Sequence, residues 1–160
     1  MVSQSEQIQD PAAALLTLRI LWAAMLGGVV TFGVVVAFLF TKGGYRGTSS
    51  SPDLERIFLA IGFGALVIAV PIGYFIRNQS YKRHWQGQAV TPGGYVTGNL
   101  ILLAMCEGVA FFSLVATLAV GAFGWVTAPG VLAAAGMLVN FPTGRPMMST
   151  TNRYEAPPPR

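Results

Sequence analysis

Charge is scarce in this chain. Only 10% of its 160 residues are Asp, Glu, Lys or Arg, against about 25% in a typical soluble domain. With so few charges and 53% hydrophobic residues, the composition points away from a water-soluble domain and toward an integral membrane protein. Cysteine is almost absent as well. Cys106 stands alone, which excludes an intrachain disulfide and a cysteine metal cluster. It reads as a small buried hydrophobe inside an apolar helix.

Histidine is equally sparse. His84 is the only one, and no HExxH pattern or glycine-rich phosphate loop accompanies it. An enzyme needs convergent polar groups, so the sequence reads as non-enzymatic, with no metal and no cofactor. Bases outnumber acids ten to six, but they do not cluster. The densest group, Lys82-Arg83-His84, is too small for a nucleic-acid surface. The amino terminus, MVSQSEQIQD, lacks the basic stretch that precedes the apolar core of a cleaved signal peptide. The first span is therefore expected to stay in the mature protein.

What the chain has in quantity is long apolar runs, four of them. Asp10-Pro11 is a good helix start, with Asp capping free amides and Pro at the first helical position. The helix is expected to run to Thr41, and Ile20 to Phe40 supplies 21 uncharged residues against the ~20 needed for a span. Gly27, Gly28 and Gly33 thin this helix for a neighbour. After a Gly/Ser-rich loop, Pro52-Asp53 starts a second helix, apolar from Ile57 to Ile76. It carries Gly62, Gly64 and Gly73, and Pro71 is expected to kink it. Residues 77–94 read as a long connector on the membrane surface, with aromatics at headgroup depth beside basic residues.

The third run, Tyr95 to Val120, holds Glu107 near its middle. A charged carboxylate at that depth costs several kcal/mol unless it is protonated, paired or wet, so it marks a functional site by default. On a helical wheel Asn99, Leu103, Cys106, Ala110, Ser113 and Thr117 share one stripe of mostly small side chains, the composition of a helix interface in lipid. Glu107 lies beside that stripe. Gly108 removes bulk next to it, so Glu107 is expected to face protein rather than lipid. The fourth run, 125–141, is short. Counted from Ala122 to Phe141 it holds 20 residues, enough to span, and counted from Ala128 to Val139 it holds 12, closer to a re-entrant or tilted segment. Topology favours the span. The tail from Pro142 lacks apolar periodicity and is rich in proline, so it reads as extended or disordered.

The expected fold is therefore all-α: a single domain of four transmembrane helices, about 11–41, 52–76, 95–120 and 125–141, in a small antiparallel bundle, followed by the tail 142–160. Four spans put Arg19, Arg77, Lys82, Arg83, Arg145, Arg153 and Arg160 on one side, seven of the ten bases. By the positive-inside rule both termini are then cytoplasmic, in a membrane of bacterial inner-membrane type.

One local segment carries a resemblance. AMCEGVAFFSLVATL, Ala104 to Leu118, resembles the carboxylate helix of the c-type proteolipids of rotary ATP synthases, with small residues before the Glu, an aromatic pair, a small residue and Leu-Val. The resemblance implies that Glu107 takes up a proton or a sodium ion, with Ser113 at the family's small position before Leu114-Val115. The family's glycine repeat on the inner helix is absent here, and two further spans flank the pair. The likeness therefore speaks to chemistry at Glu107. Two functions emerge. One is a non-catalytic structural or accessory subunit, embedded in the lipid bilayer and packed through Gly62, Gly64 and Gly108 against other membrane subunits or a second copy. The other is a proteolipid-like, proton- or sodium-binding transport component using Glu107, Ser113 and Thr117.

Overall fold

The computed structural model describes residues 10–47, 52–86 and 89–148. Expectations for the first nine residues and for the tail beyond Met148 fall outside the described residues. The described chain is mostly helical, and three of its helices are long and apolar enough to cross a membrane, as a membrane protein requires.

Helix α1 (Pro11–Thr41) begins as its sequence dictates: Asp10 Oδ1 accepts from the Ala12 amide at 2.9 Å, with Pro at the first position. Helix α2 (Pro52–Arg83) has Asp53 and Glu55 in its first turn and Lys82 and Arg83 in its last, both favourable to the helix dipole. The helix continues without interruption across Pro71. It also corrects the expected boundary at 76. The stretch 77–83 is helix rather than connector, because its polar residues are held by tertiary contacts that apolar periodicity does not register. The Ser80 hydroxyl donates to the Gly94 carbonyl at 2.9 Å, and the Tyr81 ring stacks on Tyr95 at 5.7 Å.

The true connector is a small antiparallel hairpin, β1 (Trp85–Gln86) with β2 (Ala89–Val90), pairing Trp85 with Val90. Helix α3 (Pro92–Val120) follows from the Thr91 cap and stops at Gly121, where φ is +80°. Gly121 lies directly against the Arg46–Gly47 backbone, so a side chain there would meet both strain and a clash. A 3₁₀ turn (Trp125–Thr127) leads into α4 (Ala128–Val139), a shorter helix than the run 125–141 implies. The first part of the expected extended tail is instead folded: α5 (Arg145–Met148) is one helical turn, and Met147 is buried.

Helix α3 sits at the centre. In its most apolar stretch 44% of residues are buried, against 11% in α1 and in α2. Its antiparallel partner α2 touches it from Phe58 against Phe112 at one end to His84 against Gly94 at the other. Helix α4 also runs antiparallel to it, with Gly130 at Ser113 and Gly136 at Cys106. Helix α1 runs parallel to it, with Gly28 and Gly33 at Phe111 and Leu114. The outer faces of α1 and α2 carry Val34, Phe38, Val67, Ile68 and Phe75, each more than 60% exposed. Apolar surface on that scale suits lipid rather than water.

Candidate functional site

All six residues of the predicted stripe on α3 are buried: Asn99, Leu103, Cys106, Ala110, Ser113 and Thr117, none above 5% exposure. Helix α4 covers the stripe because Gly130 and Gly136 present no side chain to it. A Cβ at Gly130 would stand 2.7 Å from the Ser113 Cβ. Within the stripe, the Thr117 hydroxyl donates to the Ser113 carbonyl at 2.8 Å, one turn back in its own helix. The Ser113 hydroxyl is buried and has no hydrogen-bond partner. It borders an apolar cleft of about 270 Å³ between α1, α3 and α4, lined also by Val29, Gly33 and Leu114.

Glu107 lies elsewhere on the helix. At 100° and 1.5 Å per residue, Ser113 is about 120° around the axis from it, and Thr117 is about 15 Å along the axis. The structure does not bring the three together. Glu107 is half-buried on the side of α3 that carries Phe111 and Leu114, which pack against α1, with the outer face about 60–100° further round the helix. Among the described residues no hydrogen bond or ion pair reaches its carboxyl. Next to it the outer face consists of Thr97, Ala104, Gly108 and Val115, all exposed. A Cβ at Gly108 would have nothing within 4 Å. The three packing glycines thus separate. Gly62 is buried, 3.0 Å from Pro129 by the same measure, whereas Gly64 and Gly108 face open space.

Sequence reasoning missed a second polar cluster, at the end of the bundle where α2 ends and α3 begins. The Arg77 guanidinium donates through Nη1 to Asn140 Oδ1 at 2.9 Å and lies over the Tyr74 ring at 4.6 Å. Asn140 Nδ2 donates to the Tyr74 hydroxyl at 2.7 Å and to the Gly136 carbonyl at 2.8 Å. Asn99 donates to the Tyr95 carbonyl at 2.8 Å and to the Tyr81 hydroxyl. The Tyr95 hydroxyl accepts from the Gly144 amide at 3.0 Å. Nearby, Trp22 Nε1 donates to the Met137 carbonyl at 2.8 Å, and Arg19 Nε to that of Pro142 at 3.2 Å. Residues expected to be membrane-surface anchors are therefore also the clasp of the bundle. The only available signal was compositional: Asn99 and Asn140 are amides bordering apolar runs.

Among the described residues no group of three or more His, Cys, Asp or Glu side chains could hold a metal ion. Comparison of the chain with protein-family models, with curated proteins and with solved structures finds no match.

Proposed function

We propose that the chain is a small integral membrane protein of four spans that serves as a non-catalytic accessory subunit, binding another membrane helix through the outer face of α3. The observation that carries this reading is Glu107: a mid-span carboxyl, half-buried, with no partner among the described residues. Such a group is costly in lipid and calls for a donor, and a neighbouring chain can supply one. The surface beside it is suited to close approach, because Ala104 and Gly108 form an exposed small-xxx-small pair. The partner is a second copy or a different membrane subunit.

Four spans rest on the level of α4 in the bundle. Gly124, just before it, lies beside Glu55, and Asn140, just after it, beside Arg77. Glu55 and Arg77 are 22 residues apart on α2, about 33 Å of helix, comparable to the hydrocarbon core. Arg19, Arg77, Lys82, Arg83 and Arg145 then share one end, which supports cytoplasmic termini by the positive-inside rule in a bacterial-type inner membrane.

A Gly108→Leu chain tests the reading. Leucine at an open helical position favours the helix, so the isolated protein should melt as wild type does. In gentle detergent extracts the variant should migrate as a smaller particle than wild type. Unchanged particle size with Gly108→Leu would remove the α3 face from assembly. Glu107→Gln should also fold normally, since the amide keeps the shape and the hydrogen-bonding capacity of a protonated acid. A proton- or sodium-binding role for Glu107 would need ligands from a neighbouring subunit, because Ser113 and Thr117 are turned to α4.

A further inference from the structure

The polar cluster at the bundle end borders an open cavity of about 280 Å³ lined by Arg77, Tyr81, Tyr95, Asn99, Asn140 and Thr143. That volume is close to the lower end for small-ligand sites, roughly 300 Å³. Its chemistry is one-sided. Arg77 brings a permanent positive charge, and no carboxylate answers it: the one ion pair among the described residues is Arg56 with Asp53, at the other end of α2. The acceptor Arg77 does have is the neutral amide of Asn140. Its Nε is buried and has no hydrogen-bond partner.

The guanidinium is nevertheless held in place, over Tyr74 at 4.6 Å and near Tyr81 at 6.0 Å. A fixed planar fork with unused donors, next to a cavity bordered by hydroxyl and amide side chains, is the arrangement that recognises a phosphate or carboxylate oxyanion. Its height narrows the choice. Arg77 closes the apolar run of α2, and Trp22 and Arg19 of α1 lie at the same end beside 137–142. That is headgroup depth in a bilayer, where phosphate is abundant.

We propose that this cavity is a phosphate-oxyanion site that takes the headgroup of an anionic phospholipid, with Arg77 as its charged donor. Unlike the general attraction of a basic surface, it depends on one residue. Exposed Lys82 and Arg83 lie on the same helix but do not line the cavity.

The full chain in a maltoside detergent, titrated with short-chain ligands and followed by thermal melting, tests this. Dioctanoyl phosphatidylglycerol should raise the melting temperature, and dioctanoylglycerol, which has the same tails and no phosphate, should not. Inorganic phosphate alone should give little or no shift if the source is lipid; an equal shift would keep the oxyanion site and assign it to soluble phosphate. Arg77→Lys, which retains the charge but not the fork, should need about tenfold more phosphatidylglycerol for the same shift. The double change Lys82→Gln, Arg83→Gln should leave the titration as it is. Equal response to the two lipids, an unaffected Arg77→Lys chain, or loss of the response in the double variant would each overturn the proposal. The first comparison uses wild-type protein, so it decides even if the Arg77 variant folds poorly.

Discussion

A Gly130→Val chain is expected to lose the packing of α4 on α3, and with it the closed end of the bundle. The added Cβ would stand 2.7 Å from the Ser113 Cβ and 3.3 Å from the Ala110 carbonyl oxygen. Neither neighbour can swing away, since one is the first side-chain carbon of a central-helix residue and the other is backbone. Relief therefore requires α4 to move outward as a body. Ala133 and Met137, both fully buried, would then lose their contacts along the same face. Overpacking on this scale costs about 2–3 kcal/mol. The check is thermal melting in detergent, with proteolysis at the 121–127 turn as a local readout. Gly136→Ala is the control: its Cβ would meet only the Cys106 sulfur at 3.7 Å, ordinary contact, and it should be tolerated.

Asn140→Ala is the second large effect. One amide accepts from Arg77, exchanges a hydrogen bond with the Tyr74 hydroxyl in either direction and donates to the Gly136 carbonyl. Alanine removes all three bonds and leaves a half-buried guanidinium without its acceptor. Bonds to charged groups contribute about 1.5–3 kcal/mol each and neutral ones about 1, so a total loss of roughly 3.5–5 kcal/mol is expected. Asn140→Asp should recover much of it, because a carboxylate still accepts from Arg77 and from the Tyr74 hydroxyl. Melting curves of the three chains test the order wild type, Asp, Ala. If the alanine chain melts with wild type, the Arg77–Asn140 contact is not holding the bundle.

The buried stripe of α3 was legible because its period is that of the helix and its members are small. Asn99, Cys106, Ala110, Ser113 and Thr117 could be placed on one face without knowing what covers it. Apolar length alone marked the three long helices. What could not be read was anything set by pairs distant in sequence. Tyr74 and Asn140 are 66 residues apart and Arg77 and Asn140 63, and no local pattern joins them. For the same reason α2 was cut short at Ile76. Beyond it the sequence turns polar, and the contacts that keep Tyr81 and Ser80 helical come from Tyr95 and Gly94 of the next helix.

The carboxylate helix shows the same division. Periodicity separated Glu107 from the small stripe, yet the stripe proved to be occupied within the chain. The open face is the one beside Ala104 and Gly108. The mid-span carboxyl itself singled out Glu107, and the likeness to proteolipids added an expectation of ion binding. It did not anticipate that Ser113 and Thr117 would face α4.

The most direct test is carbodiimide labelling of Glu107, which attacks protonated carboxyls in apolar surroundings, on native membranes and on the isolated chain. If Glu107 is paired across a subunit contact, it should resist labelling in membranes at every pH, with or without sodium, and become reactive once the chain is separated from its partner. Labelling in native membranes that sodium or rising pH suppresses would contradict that account and identify Glu107 as an ion-binding carboxylate.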